Sequence, residues 1–381
     1  MQQKQRVVIT GIGVISPIGC TKEVLWESLL GGRSGVRPLQ RIPAGVLPAS
    51  YGGEVLDFQG KAEDFVPVDK EQTKTIRKQL KVMCRESQMG VAAAQRAMAD
   101  AGLRPGQIHP ERTGVSFGSD YMLTMPEDFI EPIQACMNAD GQFEFGRWAL
   151  EGMTKLEPLW LLKYLPNMPA SHLAIFNDLR GPNNSITQRE ASANLAVGEA
   201  LEILRRGDAD VMIAGSTGTR LHPMKAIHAF QQEQLADGRF PPEEASRPFD
   251  QDRAGMVLGE GAGAMVLETL QHAQARGAKI YAEVLAAAAH AAADRRLLAR
   301  RDRAVELVLR SLLQRSGLLP EQIGHLHAHG LSTRSSDREE AQAIQAVFGN
   351  RSKPIPVVAA KSYFGNLGAG SGLVELAASL L

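Results

Sequence analysis

Three histidines, His325, His327 and His329, recur at period two in HLHAHGLSTRSSDREEAQAI (325–344), so a strand there would put their imidazoles on one face. Such a trio could bind a metal, yet no carboxylate or thiolate pattern of a metal site accompanies it, and hydrogen-bonded structural roles suit His325 and His327 better. A carboxylate heads another segment. Glu190 directly precedes ASANLAVGEALEILRRG (191–207), whose apolar positions fall at helical spacing. A helix N-terminus presents unpaired N–H groups and a positive dipole end, which favour a thiolate, an oxyanion or a carboxylate. Glu190 therefore reads either as a cap of that helix or as an acid–base partner for an imidazole. Lys361 and Asn366, in VVAAKSYFGNLGAGSGLVELAASLL (357–381), add a cation and an amide. The glycines of VLGEGAG (257–263) fit a tight turn and close backbone approach, and with no Lys-Ser or Lys-Thr after them they are weak evidence for a phosphate loop.

The elements that must hold these groups alternate in type. Short β-branched runs, VVITGIGVI from Val7, TGVSFGS from Thr113, DVMIAGS from Asp210, GAMVLE from Gly263 and PVVAAKS from Pro356, are separated by longer helix-period segments. SQMGVAAAQRAMADAGL (87–103) and the segment behind Glu190 are rich in Ala and Gly, which allows close backbone approach and predicts helices sandwiched between sheets. The stretch from Tyr121 to Leu165 has no sustained period and reads as an insertion; LAAAAHAAADRRLL (285–298) has the propensity of a helix.

Bulk properties exclude several classes. The chain has 381 residues, 44% of them hydrophobic, enough for a sizeable core. Lys plus Arg and Asp plus Glu both total 42, so composition points to neither nucleic acid nor an anionic membrane as the main partner. Cys20, Cys84 and Cys136 are odd in number and far apart, which suggests neither a disulfide framework nor a CxxC site and fits a reducing cytoplasm. Gly11, Gly13 and Pro17 interrupt the apolar N-terminal run, and no run approaches the ~20 residues a membrane helix needs.

The window from Asn167 to Ser216 resembles the nucleophile region of the β-ketoacyl-carrier-protein synthases, type II ketosynthases of the thiolase fold. Gly181-Pro182 and Gly207 to Asp210 flank it at the family's spacing without a gap, and the family's nucleophilic cysteine falls on Glu190. His329 matches the family's first histidine, which helps decarboxylate the malonyl donor; Asn366 stands where the second is expected. Lys361 matches a lysine that pairs with a glutamate, here Glu340, beneath the active site. The family's threonines that contact the pantetheine arm are represented by Thr333 alone, Leu331 taking the other place. VVITGIGVISPIG, SRPFDQDRAGMVLGEGAGAMVLE (246–268) and HAQARGAKIYAEV extend the resemblance over nearly the whole chain. The family also carries, further on, a glycine-rich segment with a gating phenylalanine and a second oxyanion N–H, which has no counterpart before Leu381.

The resemblance implies a five-layer αβαβα sandwich of two duplicated halves, 1–278 and 279–381, TGVSFGS and GHLHAHG occupying corresponding strands. It implies no metal and no cofactor, and a cytoplasmic dimer whose segment RGPNNSITQ pairs across the two-fold. The expected partners are acyl carrier protein bearing phosphopantetheine-linked acyl or malonyl groups and a second subunit, either a copy of this chain or an active ketosynthase. An acyl-carboxylate anhydride hydrolyses far faster than a thioester, so Glu190 is not expected to store an acyl chain. A chain-length-factor-like subunit is the leading expectation. The alternatives are a malonyl-carrier decarboxylase, a hydrolase or isomerase using Glu190 and His329, and a ketosynthase that still condenses. Glu190, His329 and Asn366 are expected to meet at the bottom of a pocket; an ionised Glu190 would there be stabilised by the helix N-terminus and by a protonated His329, whose pKa should rise as a result.

Overall fold

Strand β1, Val7–Ile15, is buried along its whole length, and a bulge between Ile9 and Gly11 changes which face its odd and even residues occupy. Val7 and Ile9 before the bulge and Ile12 and Val14 after it therefore join one hydrophobic cluster, although their parity differs. The computed structural model describes residues 5–43, 45–65, 70–104, 106 and 108–381. A short antiparallel pair, β2 (Arg37–Pro38) with β3 (Tyr51–Gly52), follows β1.

The main sheet is built from β1, β4 (Thr113–Ser119), β5 (Asn183–Thr187), β6 (Val211–Thr219), β7 (Glu260–Thr269) and β8 (Ala282–Glu283), in the order β5-β4-β6-β7-β1-β8. β5, β4 and β6 run parallel, whereas β7 is antiparallel to β6 and to β1. β4, β6 and β7 are buried on both faces, as a sheet covered on both sides requires. Along β6, Val211 and Ile213 enter one core cluster and Met212 and Ala214 the other.

The helix Arg85–Asp100 covers the first face. It lies so close to β1 that a Cβ at Gly11 would fall 2.2 Å from the Ala97 carbonyl oxygen, and one at Gly13 1.9 Å from that of Ala93. The helices Ser192–Arg206 and Ser371–Leu380 cover the second face. Beyond them stands the parallel pair β9 (Leu326–His327) and β10 (Val357–Val358). Alternation again sorts side chains: Leu326 and Ala328 pack with the helices Arg301–Ser316 and Arg334–Phe348, while His325 and His327 reach back to Ser379 Oγ at 3.2 and 2.9 Å. Read through the molecule, the layers run helix, sheet, helix, sheet, helix.

The segment 285–298 departs from its propensity and forms no helix. The Asp294 side chain accepts from the N–H groups of Arg296 and Leu298, Arg205 and Arg315 take the carbonyls of Leu285 and Ala287, and the Ala287 methyl packs at Gly198. Side chains thus satisfy the backbone that a helix would otherwise have paired, and tertiary contacts outweigh alanine's preference. PVVAAKS likewise gives only two strand residues before the turn of helix Lys361–Phe364. The stretch from Tyr121 to Leu165 is a chain of short helical turns around Phe129, Trp148 and Trp160.

Candidate functional site

Because β4, β5 and β6 are parallel, their C-terminal ends open at one edge of the sheet, the usual place for a site in such a sheet. Asp120 follows β4, Glu190 lies in the turn between β5 and the helix Ser192–Arg206, and Arg220 follows β6. The turn is sharp. Arg189 adopts φ 52°, a left-handed conformation that costs a side-chain-bearing residue roughly 1 kcal/mol or more, and Ser192 Oγ fixes it by accepting from Gln188 N at 2.7 Å and donating to Ser119 O at 2.8 Å.

The Glu190 carboxylate is held by side chains. Arg220 Nη2 and Asn366 Nδ2 both donate to its Oε1, the latter at 3.1 Å, and Arg189 Nε lies 3.7 Å from Oε2. Arg220 is itself 1% exposed, with Nη1 3.0 Å from Asp120 Oδ2. Burial opposes ionisation of Glu190, but the charge of Arg220, with Arg189 adding to it, overcomes it and holds the carboxyl well below the usual carboxylate range. The bonds seen on Glu190 are thus to the side chains of Arg220, just after β6, and of Asn366, ahead of the helix Ser371–Leu380.

Asn366 has a fixed orientation. Its Oδ1 accepts from Gly368 N at 3.1 Å and Ser371 Oγ at 3.2 Å, which leaves the NH2 group facing Glu190 and Met256 Sδ.

His329 follows β9 and carries the opposite titration to the one expected. Burial, and then the adjacent Lys361, push its pKa down to about 4, against the weaker pull of Glu375 and Glu190. Lys361 Nζ lies 3.3 Å from Nδ1 and donates to the His329 carbonyl at 2.8 Å. A lysine donating to Nδ1 leaves the proton of the neutral ring on Nε2, so His329 offers a neutral N–H donor. The cation partner of Glu190 is Arg220, and His329 stays uncharged. In a proton-detected titration, the His329 ring should show no protonation step between pH 5 and 8. A step near 6.5 would contradict this assignment. Because the folded pKa lies below the unfolded value, His329 contributes stability fully above about pH 6.5 and loses it as pH falls towards 4.

Lys361 is 2% exposed and pairs with Glu375, not with Glu340 as expected. Glu340 instead receives the backbone N–H groups of His329 at 2.6 Å and Gly330 at 2.9 Å, bracing the loop that carries the imidazole. Geometry explains the exchange: two carboxylates approach from different helices, and Glu375 comes from the one packed between the sheets. Thr333 caps the helix Arg334–Phe348 with its backbone, its Oγ1 buried and without a partner. Among the described residues, no group of three or more His, Cys, Asp or Glu could hold a metal, and no helix is long and apolar enough to cross a membrane.

Sequence reasoning missed Arg220, Asp120 and Glu375. The first two carry a readable signal, since each is a charge placed immediately after an uncharged strand that feeds the same sheet edge as Glu190.

Residues 4–273 match the model of the β-ketoacyl synthase N-terminal domain, and residues 281–381 that of its C-terminal domain. The chain belongs to the β-ketoacyl synthase family. A relative in Synechocystis sp., 3-oxoacyl-[acyl-carrier-protein] synthase 2, is 34% identical across this whole chain and 85% of its own length. Among solved structures, a type II polyketide synthase acyl-carrier protein in complex with its ketosynthase bound to the hexaketide superposes with a TM-score of 0.80 at 26% identity, covering 99% of this chain and 86% of that one. The ishigamide ketosynthase/chain length factor gives 0.76 at 28% identity, covering 98% and 85%. The layered arrangement is the thiolase-like fold of these ketosynthases, and the chain is a ketosynthase-like protein of fatty acid or polyketide synthesis.

Proposed function

We propose that this β-ketoacyl synthase homologue is disarmed for condensation by itself and acts, like a chain-length factor, as the partner of a ketosynthase that keeps its cysteine. The observation that carries this reading is Glu190, an ionised carboxylate bonded to Arg220 and Asn366, at the elbow to which the sequence resemblance assigns the family's nucleophile. It offers no thiolate to accept an acyl group, and the paired imidazoles are reduced to His329. The decarboxylase reading needs Glu190 protonated or turned towards His329, whereas its bonds go to Arg220 and its charge would repel a malonyl carboxylate. An acid–base role with His329 is weakened by the same ion pair, which makes Glu190 a feeble base.

In this reading the halves meet near residue 278, His329, Asn366 and Glu190 form the remnant centre, and Lys361 and Glu340 support it. Thr333 faces the arm of an acyl carrier protein once its hydroxyl turns outward. Subunits join through β5, which ends the main sheet and is largely exposed, so that pairing with a partner's strand covers an open edge. No cofactor is required. Co-expression with a cysteine-bearing ketosynthase and an acyl carrier protein should yield a one-to-one complex that survives gel filtration at micromolar concentration. A self-contained homodimer that never captures the ketosynthase would sink the proposal.

A further inference from the structure

We propose that Arg220 and Asn366 form a carboxylate-binding site whose resident ligand is the protein's own Glu190, so that the centre is closed by a tethered carboxylate. The site is built independently of its occupant. Arg220 is 1% exposed and is oriented from behind by Asp120, which lies 3.0 Å from Nη1 and leaves Nη2 to the ligand. Gly368, at φ 61°, lets the guanidinium lie against bare backbone, since a Cβ there would come within 3.4 Å of Nε. Asn366 cannot turn away, because Gly368 N and Ser371 Oγ both occupy its oxygen.

The charges ask for one anion. Without Glu190, the buried Arg220 guanidinium would keep Asp120 alone and Arg189, 44% exposed, would lose its neighbouring carboxylate, while the neutral His329 would not alter that balance. The opening also has a size. Glu190→Ala removes two carbons and both oxygens of the side chain, which are the heavy atoms of acetate, and the Glu190 side chain is 22% exposed, so a small solute has a way in. The ligand class is therefore a compact carboxylate, met by hydrogen bonds from a charged donor, Arg220, and an uncharged donor, Asn366.

The test is ligand rescue. Purified Glu190→Ala protein is heated in sodium acetate or in sodium chloride of equal ionic strength. We expect ~1–2 °C of additional stabilisation from 100 mM acetate, as for a ligand that binds only the folded state with a dissociation constant on the order of 10 mM. The wild type, where Glu190 fills the site, and Glu190→Gln, where a neutral amide does, should show no difference between the two salts. Adding Arg220→Met to Glu190→Ala should abolish the effect. If Glu190→Ala does not fold in chloride, the readout is refolded yield, which acetate should raise and chloride should not. Equal responses to both salts in Glu190→Ala, or the same acetate response in Glu190→Gln, would overturn the proposal. The inference shares its centre with the proposed function but needs no partner, so acetate rescue and ketosynthase capture can fail separately.

Discussion

Replacing Arg220 with methionine should destabilise the protein by about 3–5 kcal/mol, the cost of breaking a buried ion pair and leaving its carboxylates uncompensated. The side chain is among the largest fully buried in the molecule and is the cation shared by Asp120 and Glu190. Methionine matches its apolar stem, so little of the loss comes from packing. The two carboxylates respond differently. Glu190, 22% exposed at its side chain, can recover solvent contact, whereas Asp120, 1% exposed, cannot and is left buried without its cation. A shift of the urea midpoint at constant slope measures the effect, and Asp120→Asn in the same background should recover part of it. A loss below ~1 kcal/mol for Arg220→Met would show that water, rather than the guanidinium, supports these carboxylates.

The acid side of the stability curve follows from the same pair. Glu190 has a folded pKa lowered by Arg220, so its contribution is complete above the unfolded carboxylate range and disappears as pH falls through the folded value. His329, also lowered, acts in the same direction over the higher window that ends near 4. Both groups make the protein more stable at neutral than at acidic pH.

Much of this architecture was legible in the sequence because burial on both faces writes continuous apolar runs. Val7–Ile15 and the helix behind Glu190 were readable almost to the residue. The alanine run at 285–298 was not, because its conformation is decided by Arg205, Arg315 and Asp294, two of which lie in other elements. The centre shows the same division. Glu190, His329 and Asn366 stand at motif positions, and the structure brings Asn366 onto Glu190. The choice of Glu375 over Glu340 by Lys361, and of Arg220 over His329 by Glu190, depends on which side chains face each other across packed layers. Local sequence carries no record of that.

Rebuilding the missing groups tests whether this centre is a disarmed enzyme or only a scaffold. In Glu190→Cys a thiol replaces the carboxylate beside Arg220, and the guanidinium should favour its thiolate, as a nearby cation does for reactive cysteines. The elbow is already set by the left-handed Arg189 and the Ser192 bonds, neither of which involves the side chain at 190. Glu190→Cys should therefore be acylated by an acyl-thioester analogue, read as one added acyl mass. It should still not condense efficiently, since His329 alone supplies a neutral N–H. Asn366→His adds the second imidazole, and its Nδ1 can take the Gly368 N–H that Asn366 Oδ1 now accepts. With the active partner absent and acyl- and malonyl-carrier supplied, the double variant should form 3-oxoacyl product at least ~10²-fold faster than Glu190→Cys, the lower range for a positioned proton donor. Acylation without any gain from the second histidine would place the defect at the malonyl site. No acylation of either folded variant would mean that the acyl channel is gone as well, and that selection has kept only the surfaces of this subunit.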